Sequence, residues 1–120
     1  MAERSAAPRL HDIIEAIDHI RSETAGATVE EFEADWRRRW LVERGIEIIS
    51  EASRHLPDEM KARHPGIPWR KVAGVGNVLR HEYESIAPEV LWSVVHDDLP
   101  SLDTVCRDEL TREGESPSRA

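Results

Sequence analysis

The sequence is short of thiols and of aromatic rings other than tryptophan. It has one cysteine, one phenylalanine and one tyrosine, but four tryptophans. The single thiol, Cys106, excludes a disulfide within the chain. No run of about 18 apolar residues and no secretory signal is recognisable, so we expect a cytoplasmic protein. Strand-forming residues are scarce and helix formers are plentiful, which predicts an all-α fold.

The length of 120 residues allows one domain and not two. We expect a flexible N-terminus over 1–8, one helical domain over 9–112 and a disordered tail over 113–120. The formal charge of -8 and the pI near 5.2 argue against a protein that coats nucleic acid non-specifically. They leave room for a small basic cleft.

The spacing of apolar residues predicts an up-and-down bundle of four to five helices. The predicted helices cover 9–24, 29–55 with a bend near Asp35, 57–63, 67–83, and the stretch from 88 onward with a break near Pro100. Thr28 and Glu31 have the spacing of a capping box. Trp36 and Trp40 join a wide apolar stripe, which indicates burial both by the bundle and by another subunit.

Positive charge is concentrated between residues 61 and 81, where there is no Asp or Glu. The window carries a charge of +5 and the rest of the chain -13. Its cations are Lys61, Arg63, Arg70, Lys71 and Arg80. Such an island is a natural place for an anion. The run Arg37 to Arg39 spreads around its helix, so it is better explained as a solvated face.

The stretch 67–83, IPWRKVAGVGNVLRHEY, places Asn77, Arg80, His81 and Tyr83 within two helical turns. No phosphate-binding glycine loop, no Cys or His cluster at metal-ligand spacing and no poised carboxylate pair is recognisable elsewhere. We therefore predict no metal site, and only this stretch remains as a candidate for chemistry. The alternative for His81 is a capping or core histidine near the C-terminus of a helix.

Several segments together resemble one known family. They are VERGIEIISEA (42–52), RHPGIPWRKVAG (63–74), NVLRHEY (77–83) and the Leu-Trp pair at 91–92. The chain resembles the HepT-like ribonuclease toxins of the HEPN superfamily over roughly residues 9 to 105. The resemblance implies a dimeric HEPN-like helical bundle. It also implies a metal-independent endoribonuclease without a cofactor, whose active site lies at a dimer cleft.

The family's motif is an arginine, then four to six residues, then His, any residue and Tyr. His81 and Tyr83 match it, and Asn77 matches the polar position. Gly76 stands where the arginine belongs, and no arginine lies in the permitted range. One hypothesis is that Arg80, one turn further along the same face, takes the arginine's place in room that Gly76 leaves. The alternative is that Arg80 pairs with Glu84 at the surface.

The resemblance assigns a role to each of these residues. His81 would be the base or acid, and Arg80, aided by Asn77 or Arg70, would hold the phosphate. Tyr83 would line the cleft.

Lys71 stands beside Arg70 and is a further candidate for binding RNA in the cleft. In the family, an MntA-like minimal nucleotidyltransferase antitoxin transfers AMP to the motif tyrosine, which would be Tyr83 here. Two other functions remain open: an inactive helical module that docks on such a nucleotidyltransferase, and an unrelated helical dimerisation domain.

Overall fold

A computed structural model describes residues 5–82 and 86–114, and these residues form an all-helical bundle without strands. Its long helices are α1 (Ala7–Thr24), α3 (Trp36–Arg54), α5 (Trp69–Glu82) and α7 (Leu99–Arg112). The short helices are α2 (Val29–Ala34), α4 (Asp58–Ala62) and α6 (Pro88–Ser93), and a π-helix (Val94–Asp98) joins α6 to α7. The predicted all-α bundle is confirmed. No helix in the described ranges is long and apolar enough to cross a membrane.

Helix α3 is the centre of the bundle, because it packs against both α1 and α5. Helix α7 completes the core by packing against α1. The fully buried side chains include Leu10, Ile13, Ile17, Ile20, Val42, Ile46, Leu102 and Leu110. At the α1–α3 crossing, Gly45 has no side chain to hold the helices apart. A Cβ there would lie 2.6 Å from Ile20 Cδ1, so the absence of a side chain at Gly45 allows the two helices to cross closely.

The predicted helix over 29–55 is divided into α2 and α3 at Asp35. Oδ1 of Asp35 accepts hydrogen bonds from the backbone N–H groups of Arg37 (3.0 Å) and Arg38 (3.3 Å), so Asp35 caps α3. The capping box at the start of α2 is also present, since Thr28 and Glu31 each accept from the other's backbone N–H. The bend predicted near Asp35 is therefore a helix boundary.

Trp36 and Trp40 are exposed, which corrects the prediction that they share the buried stripe of α3. The two residues are 50% and 64% exposed, whereas Ile46 and Ile49 further along α3 are buried. Six residues turn an α-helix through about 600°, so the side chains of Trp40 and Ile46 point about 120° apart. The tryptophans therefore lie away from the core.

The last helix is interrupted in front of Pro100, where a break was predicted. Proline has no backbone N–H to continue the α-helical pattern. The chain widens into the π-helix, and the N–H of Leu99 bonds to the carbonyl of Val94, five residues earlier. A continuous but distorted rod from α6 to α7 results.

Glu109 on α7 holds the connection between α4 and α5. Its carboxylate is only 1% exposed and accepts two hydrogen bonds from Arg63, at 2.7 and 3.2 Å. His64 Nε2 lies 2.6 Å from the same carboxylate. The hydrogen bond from Arg63 lowers the pKa of Glu109 below its ordinary value of 4.5; burial opposes this shift and His64 reinforces it. The ionised carboxylate thus ties the approach to α5 onto the bundle.

Replacing Glu109 with glutamine should lower the free energy of unfolding at neutral pH by about 1–3 kcal/mol, because the charged hydrogen bonds are lost. A carboxylate with a lowered folded-state pKa stabilises the fold above pH 4.5, and this contribution disappears as the pH falls through the folded-state value. Urea unfolding at neutral pH and near pH 3 measures both effects. The exposed neighbour provides the control, Asp108→Asn. A difference between wild type and Glu109→Gln that is the same at both pH values would contradict the assignment.

Candidate active site

The outer face of α5 brings together three of the predicted site residues, Arg70, Asn77 and His81. Asn77 and His81 are one helical turn apart and both are exposed. Arg70 and Val78 are also exposed on this helix, and the Val78 side chain is 41% exposed. Helical geometry places Arg70, Asn77, Val78 and His81 within about 100° of arc. A ligand approaching α5 from outside the bundle would therefore meet the imidazole of His81 directly.

The start of α5 is anchored so that this face has a fixed orientation. The indole N–H of Trp69 donates to the carbonyls of Lys61 (3.1 Å) and His64 (3.0 Å) in the preceding connection. Glu109 holds the same connection from α7. Tyr83 and Glu84, at the other end of α5, lie outside the described residues. The tyrosine's place in the cleft and the pairing of Arg80 with Glu84 therefore remain predictions.

The space beside Gly76 is occupied by Ser50 of α3, so it offers no room for Arg80. A Cβ on Gly76 would lie 2.7 Å from both Cβ and Oγ of Ser50. The Ser50 hydroxyl donates to the carbonyl of Ala73 at 2.7 Å and accepts from the N–H of Gly76 at 3.2 Å. The hypothesis that Gly76 makes room for Arg80 is wrong in this respect. It considered α5 alone, whereas α3 packs directly against that face.

Arg80 lines a groove between α1, α3 and α5, together with Arg9, Arg44 and Glu47. Asp12, Ile48, Glu51 and Ala52 complete the lining. We call this the arginine groove. Arg80 therefore lies on the α3 side of α5, as Gly76 does, but one turn beyond it. The groove also brings in two arginines, Arg9 and Arg44, that sequence reasoning did not single out, because they are distant in sequence and outside the basic window.

The basic window is less available to an anion than its sequence suggests. Lys71 Nζ lies 2.7 Å from Asp98 Oδ2, and Arg63 is bound to the buried Glu109. Both carboxylates come from the other end of the chain, so a count over 61–81 could not include them. The prediction of one continuous cationic island is corrected: Lys71 and Arg63 are neutralised by partners.

Metal ligands are not grouped in the part of the chain that the structure describes. No set of three His, Cys, Asp or Glu side chains lies close enough there to hold an ion. Cys106 is buried in the core, and burial raises the pKa of its thiol to about 12. The thiol is therefore a core group and not a nucleophile.

Comparison with known families decides what kind of protein carries this arrangement. Residues 13–108 match the profile of the family described as "Ribonuclease HepT-like". The chain belongs to the HepT-like ribonuclease family. The match covers α3, α5 and most of α1 and α7. It includes Arg44 and Arg80 of the arginine groove but begins after Arg9 and Asp12.

Curated relatives support the HepT-like assignment over almost their full length. A Thermococcus cleftensis protein named "Probable ribonuclease HepT" is 41% identical over 100 residues, covering 83% of this chain and 91% of the relative. A Methanocaldococcus jannaschii protein named as a candidate RNase is 32% identical over 102 residues, covering 85% and 94%. No solved structure matches the chain significantly. Membership in a HepT-like ribonuclease family supports RNA as the substrate class.

Proposed function

We propose that this protein is the toxin of a toxin-antitoxin system and acts as a metal-independent endoribonuclease at a cleft between two copies of the chain. The observation that carries the proposal is the exposed imidazole of His81 on the outer face of α5, in a chain of the HepT-like ribonuclease family. Arg80 lies one residue away and lines the adjoining groove. An imidazole for proton transfer and a guanidinium for a phosphate are the groups that such cleavage needs.

The reaction is a transesterification within RNA. His81 removes the proton from a ribose 2′-OH, whose oxygen attacks the adjacent phosphorus. The bond from phosphorus to the 5′-oxygen breaks, and a second imidazole, which is protonated before the reaction begins, gives its proton to that leaving oxygen. The products are a 2′,3′-cyclic phosphate and a 5′-OH end, so atoms and charges balance without an external oxidant or metal.

A two-fold dimer would supply the second imidazole, since each chain offers one histidine on this face. The outer face of α5 suits such an interface, because Val78 is exposed beside Asn77 and His81. An apolar side chain next to a catalytic group is favourable where another subunit covers it. The partner subunit's His81 would then act as the acid while this chain's His81 acts as the base.

Arg80 would stabilise the charge of the phosphorane in place of the motif arginine, whose position is occupied by Gly76. Its guanidinium can reach a phosphate held at the mouth of the arginine groove. Asn77 and Arg70, exposed on α5, would hold the RNA in the cleft. Lys71 is left out of the proposed contacts, because Asp98 already matches its charge.

Control of the toxin would come from an MntA-like minimal nucleotidyltransferase. Transfer of AMP to Tyr83, two residues after His81, would add bulk and negative charge beside the cleft and so exclude RNA. Incubation with the nucleotidyltransferase and ATP should add the mass of one AMP to the wild type and none to Tyr83→Phe. Equal modification of both proteins would remove this part of the proposal.

The second candidate is an inactive HEPN module that only docks on a nucleotidyltransferase. Gly76 in the arginine position favours it. Incubating the purified protein with single-stranded RNA in the presence of a chelator separates the two functions. The nuclease should release fragments that end in 2′,3′-cyclic phosphate and 5′-OH. Intact RNA after prolonged incubation would leave the docking module as the better description.

A further inference from the structure

Two grooves on the α1–α3 side of the bundle run into each other, because Arg44 and Ile48 line both. The arginine groove is the first. The second is apolar, and we call it the Trp40 groove; it is lined by Ala16, His19, Ile20, Trp40, Leu41, Arg44, Gly45 and Ile48. Together they form one path from Arg80, beside the proposed reaction site, to an exposed indole.

The guanidinium groups of Arg9, Arg44 and Arg80 come from three different helices. Among the described residues, Arg9 and Arg44 have no hydrogen-bond or ion-pair partner, whereas the pairing of Arg80 with Glu84 stays a prediction. An arginine without a carboxylate partner can bind a phosphate through two parallel hydrogen bonds. The groove therefore presents two such groups, Arg9 and Arg44, to an incoming anion, with Arg80 beside them.

Carboxylates in the same groove do not cancel this positive charge completely. The Glu51 carboxylate is bound by Arg54 at 2.5 Å and by His55 at 2.9 Å. These two hydrogen bonds, that of Arg54 first, lower the pKa of Glu51 to about 2. Its charge is thus engaged outside the three arginines. Asp12 and Glu47 also line the groove and reduce its positive charge.

The exposed indole at the far end suits a nucleobase. Trp40 is 64% exposed and contacts the ring of Trp36 edge-on, with centroids 4.9 Å apart and an interplanar angle of 70°. Proteins that bind single-stranded RNA combine arginines along the backbone with aromatic rings on which bases stack. The groove has the same combination, with arginines at one end and an exposed tryptophan at the other.

We propose that this continuous groove binds single-stranded RNA beside the reaction site, with Arg9 and Arg44 on backbone phosphates and Trp40 against a base. The inference rests on the proposed function and assigns a different surface from the α5 face given to the dimer. RNA fits better than a second copy of the chain. A protein partner covering this path would bury guanidinium groups whose charge it would have to match, whereas the RNA backbone supplies a phosphate for each.

The test measures binding without cleavage. A 2′-O-methyl single-stranded RNA has no free 2′-OH, so the wild type can bind but not cut it. Fluorescence anisotropy gives its affinity for wild type, Arg9→Gln, Arg44→Gln and Trp40→Ala over a range of salt. The matched control is Arg21→Gln, also on α1, whose guanidinium lies 3.7 Å from Asp103 and away from the groove.

Arg9→Gln and Arg44→Gln should each weaken binding several-fold and reduce the slope of log affinity against log salt by about 0.7. Trp40→Ala should weaken binding roughly tenfold with the salt slope unchanged. Arg21→Gln should bind as the wild type does. Chromatography with light scattering on each variant shows whether its oligomeric state has changed.

Affinities of Arg9→Gln and Arg44→Gln equal to that of Arg21→Gln would overturn the inference, and so would a wild type that binds no RNA at low salt. A Trp40→Ala variant that loses its oligomeric state but not its RNA affinity would assign the Trp40 groove to a second copy. These outcomes are separate from the proposed function. Cleavage that depends on His81 but not on Arg9 or Arg44 refutes only the groove, and binding that depends on the groove without cleavage refutes only the nuclease.

Discussion

Replacing His81 with alanine is expected to slow RNA cleavage by about 10²- to 10⁴-fold, because the reaction loses its group for proton transfer. The imidazole is exposed on α5, so its removal should leave the core and the melting temperature unchanged. Release of 2′,3′-cyclic phosphate from single-stranded RNA measures the rate. The control is His96→Ala, which removes an exposed imidazole that lines neither groove and bonds to the carbonyl of Trp92. Slow cleavage by both variants would show that loss of His81 has no specific effect.

The same variant tests whether two imidazoles share one site. Mixed dimers, made by co-expressing differently tagged wild-type and His81→Ala chains, contain one imidazole. If base and acid come from different subunits, mixed dimers should be almost as slow as His81→Ala alone. Mixed dimers with half the wild-type activity would instead show that each subunit acts independently, and the cleft between copies would have to be abandoned.

Arg80→Ala tests the proposed phosphate contact by the same measurement of cleavage rate. Arg80→Ala should slow cleavage by about 10²- to 10³-fold if its guanidinium stabilises the phosphorane. A rate for Arg80→Ala equal to wild type, with His81→Ala slow, would move the phosphate contact to another arginine. Equal and negligible rates for wild type, His81→Ala and Arg80→Ala would support the docking module and not the nuclease.

Local sequence signals predicted the helices well because each depends on neighbouring residues. The capping box of Thr28 and Glu31, the bend at Asp35 and the break before Pro100 all involve contacts within about five residues. The face of α5 that carries Asn77 and His81 is also set by helical periodicity alone. These parts of the fold and of the candidate site could be predicted from the sequence.

What the sequence could not provide are contacts between helices. The apolar pattern placed Trp36 and Trp40 in the buried stripe. Which face of α3 is buried, however, is set by its packing against α1 and α5. Lys71 is less available to an anion because it pairs with Asp98, a residue far along the chain. Arg44 lines the same groove as Arg80 only because α3 packs against α5. Each of these depends on which residue another helix presents, and no periodicity within one helix contains that information.

Gly76→Ala is expected to lower the free energy of unfolding by about 1–3 kcal/mol, because the added methyl group would overlap Ser50 at the α3–α5 contact. Chemical denaturation at a fixed protein concentration measures it. The control is Gly74→Ala, two residues earlier on α5, where a Cβ would meet nothing within 4 Å. That change should instead stabilise the helix by about 0.5–1 kcal/mol. Equal effects of the two substitutions would show that Ser50 does not restrict position 76.

A double-mutant cycle with Ser50→Gly locates the cause. Ser50→Gly removes both the Cβ and the Oγ that a methyl group at 76 would meet, although it also loses the hydroxyl's bonds to Ala73 and Gly76. The cost of Gly76→Ala should therefore be smaller in the Ser50→Gly background, and a cost that stays the same would exclude this contact as the source.

The double-mutant cycle also bears on the proposed chemistry. If Ser50 prevents any side chain at 76, restoring the family's arginine there would separate α3 from α5. The cation for the phosphate must then come from a neighbouring position, and Arg80 on the same side of α5 is the nearest that the helix provides.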